Sequence, residues 1–221
     1  PAYAARDAGQ AGKVARAVEL AGGDAYSFAG LNLIDVINAS YDPQTGRYHP
    51  NLLFRHMLAI EGLLAAGEPI PSAAIDAILD AQLPDGGWFW AFVGIDSDVD
   101  TTGQVLRILG AYPSTQCAAA LTRAASFLAA SQLPAGGWGV NAETPPANAD
   151  STALAVAGLR AVGADPAGES FERQGVSAMD TLLGFQEPSG AFVYIQEEGR
   201  QEFRVVATGE AITARVEPLR A

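Results

Sequence analysis

Along most of the chain apolar residues recur at three- and four-residue spacing, as in Leu52, Leu53, Met57, Leu58, Ile60, Leu63 and Leu64, which marks one buried face of a helix. Turns rich in glycine and proline separate these stretches. The spacing predicts helices near 4–21, 31–39, 50–66, 72–82, 100–110, 115–131, 150–162, 171–185 and 206–214. The one extended piece is Phe192-Val193-Tyr194-Ile195, so the chain is predicted to be all-α. Asn51, Asp100 and Asp150 each stand just before an apolar-periodic segment, where a short polar side chain accepts from the free N–H groups of a helix start. They are expected to be caps.

The turns repeat. Gln82-Leu83-Pro84-Asp85-Gly86-Gly87-Trp88 returns fifty positions later as Gln132-Leu133-Pro134-Ala135-Gly136-Gly137-Trp138, with six of the seven residues the same. That offset also carries Asp100-Thr101-Thr102 onto Asp150-Ser151-Thr152, so the register holds from the turn into the next helix. Weaker copies are Gln186-Glu187-Pro188-Ser189-Gly190-Ala191-Phe192 and Thr45-Gly46-Arg47-Tyr48. A fixed period of this length means an array of like units, each burying its apolar face against the next.

The pattern Gln-x-x-x-Gly-x-Trp, preceded by the apolar helix end Phe127-Leu128, resembles the QW repeat of the terpenoid cyclase and protein prenyltransferase superfamily, including prenyltransferase and squalene oxidase repeat proteins. The resemblance covers nearly the whole chain. It implies an α/α toroid in which each repeat is an outer helix, a QW turn and an inner helix. Here that gives one repeat domain over 1–221, with repeats near 28–66, 72–110, 115–162 and 171–214, and helix 4–21 belonging to a truncated preceding repeat. Fewer pairs are present than in a closed toroid of that superfamily. An incomplete array exposes the face that its missing neighbour would cover, and a homodimer through that end is expected. In the turn itself, a glutamine near a helix end is suited to bonding loose backbone groups there while the tryptophan stacks beneath it. Gln82, Trp88, Gln132 and Trp138 are therefore read as a structural clamp.

Asp96-Ser97-Asp98-Val99-Asp100-Thr101-Thr102 is the constellation that invites a chemical reading. It resembles the Asp-x-Asp-Asp-Thr motif of class II terpenoid cyclases, whose middle acid protonates a double bond or an epoxide. Asp98 and Asp100 match its first two acids, whereas Thr101 stands at the third and Gly103 replaces the alanine that follows. An acid strong enough to protonate an alkene must be held protonated and polarised by its neighbours, and a lost neighbour weakens that arrangement. Asp100 is accordingly expected to cap a helix. The aromatic residues just past the turns, Trp88, Phe89, Trp90 and Phe92 with Phe192 and Tyr194, are candidates for lining an apolar cavity suited to a lipid, isoprenoid or corrinoid-like ligand; the alternative is that they fill the loop layer as core. The candidate ligand-binding set is thus Trp88, Trp90, Phe92, Asp98, Asp100 and Tyr194.

Composition narrows the partners. With 49% hydrophobic and 17% charged residues in 221, the chain has enough apolar content for a core, and its 43 alanines fit closely packed helices. Thirteen Lys and Arg against twenty-five Asp and Glu leave a net charge of -12, which opposes binding to nucleic acid. No apolar run is long enough to span a bilayer. Pro1 is neither a natural start nor the opening of a signal peptide, so the sequence is expected to begin inside a longer one. The single Cys117 excludes an internal disulfide, and with His49 and His56 it offers no metal-ligand spacing. Asp96, Asp98 and Asp100 alternate as in a calcium loop, but neither the glycine nor the glutamate of an EF-hand loop follows. No metal and no cofactor is expected. Glu197, Glu198, Arg200 and Glu202 read as a solvated loop.

Two functions follow from the resemblance. The first is a non-catalytic repeat domain that binds a ligand or a protein partner, similar to those of extracytoplasmic bacterial proteins and of the cobalamin-carrier group. The second is a fragment of a class II polyprenyl cyclase, with Asp98 and Asp100 as its acids. The altered acid motif and the short chain favour the first. An acidic chain with one lysine is compatible with a place outside the cytoplasm or at the cell surface.

Overall fold

The computed structural model describes residues 2–112, 114–141, 146–195 and 204–215. Glu197, Glu198, Arg200 and Glu202 lie outside them. The chain is mostly helical, at 52%. In order come α1 (Ala8–Leu20), α2 (Leu33–Ala39), α3 (Leu53–Ala65), α4 (Ser72–Asp80), α5 (Val99–Ala111), α6 (Ala118–Ser131), α7 (Ala149–Ala161), a two-stranded hairpin of β1 (Glu172–Arg173) and β2 (Val176–Ser177), then α8 (Ala178–Gly184) and α9 (Arg204–Arg215). They form two compact units, one of residues 1–82 with 89–95, the other of 83–88 with 96–220.

Within the first unit α1 packs along α3 and against α2; within the second α5 packs along α7, and α7 against α8 and α9. Glycines set how close the helix axes come. A Cβ on Gly62 would fall 2.5 Å from the Cα of Gly12, and one on Gly158 would fall 2.5 Å from the carbonyl oxygen of Gly103. In each pair the fifth residue of one helix meets the tenth of the other, so both units use one packing device.

Four turns carry a second device. In each, a glycine with positive φ (Gly46 70°, Gly86 94°, Gly136 88°, Gly190 87°) precedes an aromatic residue by two positions. That aromatic donates its backbone N–H to a side chain near the start of the following helix: Tyr48 to His56 Nδ1 at 3.1 Å, Trp88 to Thr102 Oγ1 at 3.0 Å, Trp138 to Thr152 Oγ1 at 3.1 Å and Phe192 to Thr208 Oγ1 at 2.9 Å. His56, Thr102 and Thr152 are each the fourth residue of their helix. The weak Tyr48 and Phe192 copies in the sequence are therefore the same turn, with an imidazole replacing the hydroxyl in one of them. Two residues past Trp88, Trp138 and Phe192, the carbonyls of Trp90, Val140 and Tyr194 accept from the amides of Phe54, Val99 and Ala149, in the first turns of α3, α5 and α7.

The QW clamp works differently from its expected form. The Gln132 amide donates to the carbonyls of Gly136 at 2.6 Å and Phe171 at 2.8 Å, and that of Gln186 to Gly190 at 3.1 Å, so glutamine closes the turn. The loose carbonyl at the end of α6 belongs to Leu128, and the Trp138 indole N–H donates to it at 2.8 Å.

Three local expectations are corrected. The caps are not Asp100, Asp150 and Asn51: Asp98 caps α5 and Asn148 caps α7, while His49 Nδ1 accepts from the Asn51 and Leu52 amides ahead of α3. The helix predicted over 171–185 starts only at Ala178, because Gln174 (φ 54°) and Gly175 (φ 81°) make a tight hairpin turn in which both central residues have positive φ. Phe192-Val193-Tyr194-Ile195 is no strand; only Phe192 forms an isolated bridge, with Gln186.

Two expectations follow. Trp138 is fully buried, and Trp138→Ala should cost about 3 to 5 kcal/mol in urea unfolding; a loss under about 1 kcal/mol would mean that the indole anchors nothing. His56 accepts at Nδ1 and bonds the Ala74 carbonyl through Nε2 at 2.9 Å, so the fold holds the neutral ring. Burial pushes its pKa down to about 4, with Arg47 acting in the same direction and the Ala74 bond opposing. A depressed folded-state value means that the unfolded chain protonates first. The contribution is complete above pH 6.5 and lost as pH falls toward 4, on the order of 3 kcal/mol. A His56→Thr variant should lose that acid-limb dependence.

Candidate functional site

The second unit brings the starts of α5 and α7 together, and with them the acids of the sequence motif. Asp98 is committed to its cap: it accepts from the Thr101 amide at 2.6 Å and from the Thr101 hydroxyl at 2.9 Å. Thr101, standing where the third acid of the motif would be, thus locks the first. Asn148 does the same for α7, accepting from the Ser151 amide at 2.8 Å and donating to the Ser151 hydroxyl at 3.0 Å.

Asp100 and Asp150 lie two residues inside these caps. Each is half-buried, and each has an Oδ1 sealed from solvent with no hydrogen-bond partner among the described residues. A first-turn carboxylate is ordinarily favoured by the helix dipole, but burial outweighs that here. It raises the Asp100 pKa to about 7; a hydrogen bond from Ser151 holds the value down, while Asp150, Asp98 and Glu210 push it further up. Because Ser151 Oγ already accepts from Asn148, its own proton is the one offered to Asp100. Burial raises Asp150 as well. The arrangement leaves a substantial share of this acid protonated near neutrality, which is what proton donation or hydrogen bonding to a neutral ligand requires. Ser151 and Asn148 were absent from the candidate set; the fifty-residue offset that pairs Asp100 with Asp150 was the signal pointing to them.

The aromatic candidates separate. Trp88 is fully buried, with its amide in the turn clamp. Tyr194, in the same unit as the acids, is half-buried and holds the first amide of α7 through its carbonyl. Trp90 and Phe92 belong to the first unit. The Trp90 side chain is 50% exposed. Phe92 is half-buried, with the Arg47 guanidinium 3.9 Å from its ring centroid and the His56 ring 5.4 Å away. Among the described residues no group of three or more His, Cys, Asp or Glu is placed to hold a metal ion, and no helix is long and apolar enough to cross a membrane. Cys117 is buried.

No family model matches the sequence, and no curated protein does. Solved structures do match. The apo type II terpene cyclase MstE from Scytonema superposes with a TM-score of 0.66 at 14% identity, over 94% of this chain and 73% of that one. The fold is terpene-cyclase-like. A variant of MstE in complex with geranylgeranyl dihydroxybenzoate gives 0.64 at 15% identity, over 94% of this chain and 71% of that one. A polysaccharide lyase gives 0.62 at 13%, over 92% and 70%. One scaffold therefore serves unrelated chemistries, and the residues must decide between them.

The acid makes a signed prediction. With its folded-state pKa raised, Asp100 contributes most below pH 4 and loses that contribution as pH climbs through about 7. Asp100→Asn should therefore stabilise the protein at pH 8 relative to pH 4, on the order of 1 to 2 kcal/mol after solvent screening of the half-exposed residue. Urea unfolding at both pH values measures it. An Asp100→Asn variant less stable at pH 8 would mean that the carboxylate is charged and paired.

Proposed function

We propose that this chain is a non-catalytic, terpene-cyclase-like repeat domain that binds an apolar small molecule carrying a prenyl-type chain. One observation carries this reading: the sealed acid is a property of the repeat. Asp100 and Asp150 occupy the same place in α5 and α7, two residues past the caps Asp98 and Asn148, each with an unpartnered Oδ1. A catalytic acid needs one station with its own activating neighbours, whereas a device present twice is explained by the architecture. The residue that would complete the motif, Thr101, is spent on the Asp98 cap. A prenyl-type ligand is supported by the geranylgeranyl compound held by the MstE variant and by the aromatic side chains that follow the turns. The acidic, lysine-poor composition fits a domain that works outside the cytoplasm.

A cyclase is the second reading, and the pKa of about 7 at Asp100 is the observation in its favour, since half of those carboxyls carry a proton at neutral pH. Incubation with geranylgeranyl dihydroxybenzoate and with squalene separates the two. Saturable binding with the compound recovered unchanged is the expected result. A cyclised product that disappears in Asp100→Asn would replace the proposal with the cyclase, and absence of binding to either compound would refute both.

A further inference from the structure

The stretch after the second QW turn differs from its counterparts. Residues 89–95 read Phe-Trp-Ala-Phe-Val-Gly-Ile, while the same positions fifty residues on read Gly-Val-Asn-Ala-Glu-Thr-Pro, and the third copy keeps only Val193-Tyr194-Ile195 apolar before Gln196-Glu197-Glu198. The repeat architecture therefore does not demand apolar residues there. Three of them face water: Trp90 is 50% exposed, Val93 86% and Ile95 90%. Large apolar side chains so nearly uncovered, within six residues, call for a surface that covers them.

The loop is built to hold them out. Its base is tied to the start of α3 by bonds from the Phe54 amide to the Trp90 carbonyl and from the Phe92 amide to the Asn51 carbonyl, both 3.0 Å. Phe92 is fixed against Arg47 and His56. At the tip, the Phe89 ring lies on the Gly94 backbone so closely that a Cβ there would sit 2.3 Å from it. Val93 and Ile95 take no part in this packing, and Trp90, whose ring centroid lies 5.0 Å from that of Phe89, still leaves half of its surface exposed.

Charge selects the occupant. No lysine or arginine lies between Arg55 and Arg107, Asp96 and Asp98 follow the loop directly, and the chain carries -12 overall. An anionic surface would be repelled and finds no basic residue in this segment to hold it, and Asp98 is occupied by Thr101, which leaves Asp96 alone beside the loop to draw a cationic one. Arg47, the cation at the base, is stacked on Phe92 and donates to the Pro50 carbonyl at 3.3 Å. We infer that the 89–95 loop is a docking wedge that seats Trp90, Val93 and Ile95 in an electrically neutral lipid surface. Tryptophan suits the boundary, with its indole N–H toward the headgroups, and the two aliphatic side chains suit the acyl region. A membrane is also where a prenyl-type ligand dissolves, so the wedge complements the proposed function without depending on it.

Trp90 supplies its own probe. Of the three tryptophans, Trp88 and Trp138 are fully buried, so a change in fluorescence on adding vesicles reports Trp90. With phosphatidylcholine vesicles the protein should co-sediment and its emission should shift to the blue. Replacing a third of the lipid with phosphatidylserine should weaken binding. A Val93→Asp/Ile95→Asp double variant, altered only at side chains that contribute nothing to packing, should fold as before and lose vesicle binding by on the order of a hundredfold. Its affinity for geranylgeranyl dihydroxybenzoate in lipid-free buffer should be unchanged, which keeps this test apart from that of the proposed function. Three results would overturn the wedge: no association with phosphatidylcholine, stronger binding to the anionic vesicles, or self-association in lipid-free buffer that the double variant abolishes, which would make a second copy the occupant.

Discussion

The structure depends on one hydrogen bond made four times. A turn that folds back on itself beneath a helix buries its own backbone, and a buried N–H without an acceptor costs on the order of 1 to 3 kcal/mol. The chain meets this by placing an acceptor one turn into the next helix, as Thr102, Thr152, Thr208 or His56. That bond fixes where the helix begins relative to the turn. The caps Asp98 and Asn148 then lie in the same place, and the next residues but one, Asp100 and Asp150, are carried into the same half-buried setting. The chemistry of the candidate site is thus a consequence of how the repeats are closed.

Between the clamped aromatic and the helix cap the frame imposes little. Those stretches are where the repeats part company: apolar throughout after Trp88, mixed and more polar after Trp138, and apolar only as far as Ile195 after Phe192. The fixed bonds supply a scaffold, and the loop between them supplies what distinguishes one repeat from another. A wedge of exposed apolar side chains on one loop and an acid of raised pKa at a helix start are compatible because neither loosens the clamp.

Much of this was legible in the sequence. The period and the helical class could be read because glycine-glycine-tryptophan turns and three- and four-residue apolar spacing are local signals. Gly46-Arg47-Tyr48 could be read only as a faint copy, since its acceptor is a histidine eight residues on instead of a threonine fourteen residues on. The caps were misassigned by two residues because Asp98 and Asp100 are the same residue type, and only the three-dimensional path decides which carboxylate meets the Thr101 amide. The hairpin ahead of α8 was hidden because Gln174 with positive φ has no strong sequence signature. The raised pKa of Asp100 was not legible; it arises first from burial and then from Asp150 and Glu210, which distant parts of the chain bring near, with the neighbouring Asp98 adding to it.

Replacing Thr152 tests the clamp most directly. Valine keeps the shape of threonine and removes the acceptor for the Trp138 amide; serine keeps the acceptor. In urea unfolding Thr152→Val should lose about 1 to 3 kcal/mol and Thr152→Ser most of an order less, and the Trp138 amide should exchange faster with deuterium only in the valine variant. A valine variant as stable as the parent, with the amide still protected, would contradict the claim that this bond holds the repeat together.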